Sequence, residues 1–147
     1  MVIDVKKLKR SGRYESEFSF DYNVNPELIT LPGAVLNGPM NVSGTLALHG
    51  EDVYVDGCLR CKIVGECARC LKSVNYDWVA EFSAVYAVIR QDEDDYLYKN
   101  GIVDLTPAVD DVILTNIPTV IYCKEDCKGL CPICGKDLNQ SPCDCKK

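Results

Sequence analysis

Apolar and polar residues alternate along much of this chain. Tyr14, Ser16, Phe18, Phe20 and Tyr22 interleave with Glu15, Glu17, Ser19 and Asp21. Period two with aromatics predicts a half-buried strand. Val42, Gly44, Leu46 and Leu48 repeat the pattern. His49-Gly50-Glu51-Asp52 has hairpin-turn chemistry, Val53 and Val55 resume the alternation, and Asp56-Gly57 is a second turn signal. Leu59, Cys61 and Ile63 continue it, and the apolar-rich run from Trp78 to Ile89, with Phe82, Val85, Tyr86 and Val88, predicts a buried strand. Asn23 to Pro39 holds three prolines and two glycines, which predicts a loop with one helical turn near Pro26-Glu27-Leu28. A single main helix is predicted from Thr106 as cap and Pro107 as first helical residue. Asp110 and Asp111 favour its early turns, Val109, Val112 and Ile113 share a face, and Pro118 ends it. The expected fold is α+β and β-dominated: an antiparallel meander or partly closed barrel with one main helix and a C-terminal zinc knuckle. Residues 1–120 form the expected β-rich domain and 121–147 a cysteine-rich tail.

That tail changes the picture from architecture to chemistry. Cys123, Cys127, Cys131, Cys134, Cys143 and Cys145 fall within 23 residues that hold few apolar side chains, chiefly Leu130, Ile133 and Leu138. A metal can order such a segment where a core cannot. Cys131-Pro-Ile-Cys-Gly135 suits a tight knuckle that points two thiolates at one ion, with Gly135 free to take a positive φ. Zn²⁺ prefers four such ligands in a tetrahedron. The spacing points to Cys127, Cys131, Cys134 and Cys143, with Cys123 and Cys145 as alternates. Six thiolates exceed one ion's needs and fall short of two unless some bridge, so one zinc per chain is expected. Upstream, Cys58-Leu-Arg-Cys61 and Cys67-Ala-Arg-Cys70 permit a second site, a composite with the tail, or simply buried thiols. Neither pair is followed by glycine.

Catalytic patterns are missing from the sequence. Cys67-Ala-Arg-Cys70 lacks the following helical pattern that a thiol oxidoreductase uses to lower a thiol pKa. His49-Gly50-Glu51 matches half of a zinc-deaminase signature, but Pro142-Cys143-Asp144-Cys145 is one residue short of the other half. An all-cysteine site leaves no open metal position. The expectation is a non-enzymatic protein. No apolar run approaches the ~20 residues of a membrane helix. The N-terminal stretch, with Lys6, Lys7, Lys9 and Arg10, lacks a signal-peptide core. A reducing cytoplasm is therefore expected, where dense cysteines favour metal over disulfides.

The net charge is −6, and the window from Gln91 to Asp111 accounts for all of it: Asp92, Glu93, Asp94, Asp95, Asp104, Asp110 and Asp111 against Lys99. Residues 91–105 read as a solvated acidic loop, since QDEDDY lacks the oxygen spacing and glycine turn of a hard-cation site. Bulk acidity disfavours nucleic acid. Locally, Arg60, Lys62, Arg69 and Lys72 outnumber Glu66 between Cys58 and Lys72. Phosphate contacts become plausible if this stretch shares a face with tail lysines such as Lys128 and Lys136. Tyr14, Tyr22, Tyr54, Tyr76 and Trp78 could stack on bases, although strand core accounts for most of them.

Together these motifs resemble the YceD family of large ribosomal RNA subunit accumulation proteins. The matching residues are Cys67-Ala-Arg-Cys-Leu71 with the strand through Phe82, Val103-Asp-Leu105, the helix to Ile117-Pro118, and the tail from Cys123 to Asn139 with Cys143-Asp-Cys145. Cys58 and Cys61 lie outside that pattern. Members without most of these cysteines make the metal site an accessory stabiliser. The resemblance implies a cytosolic factor for large-subunit ribosomal RNA accumulation, acting on precursor RNA or an assembling particle. One route is RNA binding through Arg60, Lys62, Arg69, Lys72, Lys128 and Lys136. Another is an adaptor whose acidic segment meets a basic ribosomal protein.

Overall fold

The computed structural model describes residues 1–145. The main sheet has six strands: β2 (Glu15–Tyr22), β3 (Val35–Leu36), β4 (Met40–His49), β5 (Asp52–Glu66), β6 (Ser73–Ala87) and β7 (Tyr96–Leu97). Their order is β2-β4-β5-β6-β7, with β3 also on β5, and every pairing is antiparallel except β6 with β7. β1 (Val2–Asp4) and β8 (Ile102–Asp104) form a separate two-stranded sheet. The meander is thus present, but the main sheet stays open. It begins at β2 and ends at the two-residue β7, so no barrel closes.

The alternation does what it predicts. On β4 the even positions Met40, Val42, Leu46 and Leu48 are buried, and on β5 the odd positions Val53, Val55, Leu59 and Ile63. Trp78, Phe82, Ala84 and Tyr86 of β6 join them. Helix α2 (Thr106–Asn116) covers this layer with Ala108, Val109 and Ile113. The expected cap is displaced by one residue. Leu105 occupies the N-cap position without a side-chain bond, while the Asp104 carboxylate accepts from the Thr106 N–H at 2.9 Å. Tyr22 and Tyr96 donate to Asp110 and Asp111 on α2 at 2.7 and 2.6 Å.

Two local readings need correction, and one stretch gains an element the pattern does not assign. Asp56-Gly57 is not a turn but lies inside the 15-residue β5. Gly57 pairs with Gly44 on one side and Phe82 on the other, and a Cβ at Gly57 would overlap the Phe82 ring. The glycines leave a slot for an aromatic. The basic stretch near the N-terminus forms α1 (Val5–Arg10), where Asp4 accepts from the Lys7 N–H at 3.1 Å and Val5 is buried. The acidic segment is partly tied down. The Asp95 carboxylate accepts from the N–H groups of Gln91 and Asp92, which holds its pKa below the usual range, and β7 fastens the chain to β6. Among the described residues, no helix is long and apolar enough to cross a membrane.

Candidate metal centres

The turn between β5 and β6 carries Cys67 and Cys70. Cys67 N–H donates to Lys72 O at 2.8 Å and Leu71 N–H donates to Cys67 O at 2.9 Å. The tail knuckle repeats this: Cys131 N–H donates to Lys136 O at 2.8 Å and Gly135 N–H to Cys131 O at 2.9 Å. Both stretches read Cys-x-x-Cys-x-Lys. Gly135 adopts φ 72°, and Leu71 adopts φ 59° at the equivalent place. The left-handed conformation costs a non-glycine residue about 1–2 kcal/mol. Leu71 is 60% exposed and recovers little of that by burial. The absence of glycine after Cys70 therefore does not prevent a knuckle; surrounding bonds enforce it.

The chain leaving α2 passes directly over the first knuckle. Ala68 N–H donates to Ile121 O at 2.9 Å, and Leu130 N–H donates to Arg69 O at 3.1 Å. Cys123 and Cys127 thereby reach Cys67 and Cys70, while Cys131, Cys134, Cys143 and Cys145 gather separately. Within each group the four Sγ atoms lie within 4.8 Å of one another. The grouping differs from the single tail site that spacing suggests. Cys127 is separated from Cys131, Cys134 and Cys143 because the chain reverses at Gly129, whose φ is 73°. A Cβ there would meet Arg69 O at 2.9 Å. With Cys67 and Cys70 included, eight thiols form two sets of four, and no bridging is needed. Among the described residues, Cys58 and Cys61 join neither set. Three apart on a strand, they face opposite sides of the sheet. Cys61 packs on the core, and burial pushes its thiol up to about 11.

Both sets could hold a metal ion, and the sulfur spacings in the set of Cys67, Cys70, Cys123 and Cys127 fit a tetrahedron. Zinc–sulfur bonds of about 2.3 Å put tetrahedral ligand sulfurs ~3.8 Å apart. Cys67 and Cys127 Sγ are 3.8 Å apart, and Cys70 and Cys123 Sγ 3.6 Å. A disulfide would need about 2 Å. The thiols are also poised unequally. Burial opposes ionisation of Cys67, but N–H groups of Cys123, Arg69 and Cys70 outweigh it and bring the thiol to about 6. N–H groups of Cys134 and Ile133 bring Cys131 to about 6. Burial, then crowding by Cys127, Cys70 and Cys67, pushes Cys123 up to about 12. Hydrogen bonding with Cys134, then burial, does the same to Cys145. Four thiols this close cannot all ionise without a cation between them.

The residues expected to meet RNA divide into two classes. Arg69 donates to Glu125 O at 3.2 Å and Cys127 O at 3.0 Å, and its guanidinium lies 4.7 Å from the Tyr122 ring centroid. Lys72 pairs with Asp137 at 2.6 Å, and Lys136 donates to Pro142 O at 3.2 Å. These three fasten the tail. Lys128 is exposed, and its N–H donates to Asn139 Oδ1 at 2.9 Å. Arg60 and Lys62 are exposed on β5. By register they share the outer sheet face with Glu15, Glu17 and Asp21 of β2, Asp52, Asp56 and Glu66 of β5, and Asp77 and Glu81 of β6. Eight acids against two bases make that face negative. Asp92, Glu93 and Asp94 line an adjoining groove of about 510 Å³ with Tyr54 and Asp56. Of the aromatics, Tyr14, Tyr54 and Tyr76 are exposed, Tyr22 is half-buried, and Trp78 is core.

The open β-sheet, its covering helix and the paired cysteine sets are the context for comparison with known proteins. Residues 55–147 match the family described as "Large ribosomal RNA subunit accumulation protein YceD". The chain belongs to the YceD family. It is similar to the uncharacterized protein ML1660 of Mycobacterium leprae, with 30% identity over 112 residues, covering 71% of this chain and 51% of that protein. The uncharacterized protein Rv2926c of Mycobacterium tuberculosis is 30% identical over 124 residues, 79% of this chain and 58% of its own. YlbN of Bacillus subtilis, also uncharacterized, is 26% identical over 130 residues, 84% of this chain and 76% of its own. The chain thus spans only a little over half the length of the mycobacterial relatives. No solved structure matches it significantly.

Proposed function

We propose that this chain is a non-enzymatic factor for accumulation of large-subunit ribosomal RNA in the cytoplasm. It acts on the assembling particle, and each cysteine set holds one structural Zn²⁺. The observation that carries the ribosomal reading is the family match over residues 55–147, which includes both knuckles. When bound, each ion closes a four-thiolate tetrahedron and supplies folding free energy, with no open position for a substrate. Cys67, Cys70, Cys123 and Cys127 would hold the tail on the β5–β6 turn, and Cys131, Cys134, Cys143 and Cys145 would order the tail itself.

The charge distribution favours contact with a basic protein component of the particle. The outer sheet face and the groove at Asp92–Asp94 are acidic, whereas Arg69, Lys72 and Lys136 are engaged within the molecule. Direct RNA contact through Arg60 and Lys62 is the second reading, favoured by their exposure and the nearby Tyr54. Two variants separate them. Glu17→Gln/Asp56→Asn/Glu81→Gln should abolish co-sedimentation with large-subunit precursor particles if a basic protein is the contact. Arg60→Glu/Lys62→Glu should abolish RNA crosslinks if RNA is. Loss of the chain that left the ratio of large- to small-subunit RNA unchanged would remove the ribosomal reading altogether.

A further inference from the structure

Asn139 lies in the loop that joins the two halves of the distal set, Cys131, Cys134, Cys143 and Cys145. Its side chain nevertheless reaches the proximal set: Nδ2 donates to Cys127 Sγ at 3.4 Å. The orientation of the amide is fixed by its surroundings. Oδ1 accepts from Lys128 N–H at 2.9 Å, and Nδ2 also donates to Asp137 Oδ1 at 2.8 Å, so the donor end must face the sulfur. Asp137 in turn pairs with Lys72, beside Cys70, at 2.6 Å. Leu138 N–H donates to Gly129 O at 3.0 Å, and Leu130 bridges to Asp137. The distal loop thus folds back on the proximal knuckle through one polar network, and nothing but that loop delivers Asn139 to Cys127.

We infer that the two cysteine sets are one coupled binding unit, in which filling the distal set raises metal affinity at the proximal set, with Asn139 as the positioning residue between them. This rests on the metal reading above. An ordered distal loop presents an N–H to a proximal ligand sulfur and holds that sulfur in its place within the set. A disordered loop withdraws that N–H together with Asp137. Outer-shell partners of this kind typically change metal affinity about 10–100-fold.

The test is a Co²⁺ titration of zinc-free, reduced protein, followed by thiolate-to-cobalt absorption and competed with a chelator of known affinity. Wild type should take up two Co²⁺ per chain. Cys134→Ser/Cys145→Ser, which removes the distal set, should take up one, with proximal affinity reduced at least tenfold. Asn139→Leu keeps all eight thiols, and should bind two with the proximal affinity selectively reduced by a similar factor. Circular dichroism of the sheet checks that both variants remain folded. Two ions in wild type with proximal affinity unaltered in Asn139→Leu overturns the coupling and leaves the metal reading standing. Uptake of fewer than two in wild type overturns both.

Discussion

Arg69→Ala separates a structural arginine from an RNA-binding one. The substitution removes two hydrogen bonds, to Glu125 O and Cys127 O at 3.2 and 3.0 Å, and the stacking on Tyr122. Bonds made by charged donors contribute about 1.5–3 kcal/mol each, and an exposed cation–π contact about 0.5–1. Arg69 is exposed, so water recovers part of this. A net loss of roughly 2–3 kcal/mol for the docked tail corresponds to a 30- to 140-fold larger opening equilibrium. Native-state amide exchange reads it directly. Ala68 N–H, bonded to Ile121 O, and Leu130 N–H, bonded to Arg69 O, sit at the seam between turn and tail. Their protection should fall by that factor, while central β5 amides such as Val55 stay unaltered. Both bonds leave the same nitrogen, Nη1, so Arg69→Lys keeps a cation able to donate there but loses the planar group over Tyr122, and should lose only part of the same protection. Unchanged exchange at Ala68 and Leu130 in Arg69→Ala would refute the clamp and return Arg69 to the pool of free cations.

Gly57→Ala forces a methyl into the Phe82 ring. Overpacking of this kind costs about 1–3 kcal/mol, a fall in Tm of roughly 3–10 °C, and Phe82→Leu in the same chain should restore part of it. The phenols of Tyr22 and Tyr96 are raised to about 12, first by burial and then by Asp110 and Asp111 respectively. Their contribution is complete below the unfolded value near 10 and fades as pH rises through 12, so an ultraviolet phenolate titration of Tyr22→Phe/Tyr96→Phe should lose the phenolate signal that the parent chain gains near pH 12. Asp104 accepts from Thr106 N–H and from the Met1 ammonium. Burial opposes the ionised form, but these bonds hold its carboxyl below the ordinary value. Its contribution is present above pH ~4 and lost as pH falls through the depressed pKa, and Asp104→Ala should cost about 1 kcal/mol in chemical denaturation at neutral pH.

Alternation locates β2 and β4, and the hairpin at His49–Asp52 follows from turn chemistry, whereas the apolar run Trp78–Ile89 finds β6 but starts five residues late and overruns into the exposed Val88 and Ile89. Asp56-Gly57 shows where such reasoning stops. A glycine that makes room for an aromatic looks like a turn glycine until Phe82 is known to lie opposite. The cysteines divide similarly. Short spacing identifies the pairs Cys67/Cys70 and Cys131/Cys134, because a knuckle is a local structure. Which pairs meet depends on where the chain re-emerges after α2, and no local pattern encodes that. A usable signal did exist: Cys-x-x-Cys-x-Lys recurs at both knuckles. Lys72 and Arg69 look like free positive charge in sequence because their partners, Asp137 and the carbonyls of Glu125 and Cys127, lie more than fifty positions away.

That separation also sets the order in which the molecule matures. Cys70 and Cys123 are 53 positions apart. A ribosome adding about 5–20 residues per second makes the second pair roughly 3–10 s after the first. The β5–β6 hairpin and its strained Leu71 turn can therefore form while two of the four proximal thiols do not yet exist. A nascent chain presents a half-built tetrahedron, too few ligands to hold an ion firmly and two thiols open to oxidation. On the metal reading, ion capture follows synthesis of the sheet, and the supply of metal at that moment decides how many chains acquire a docked tail.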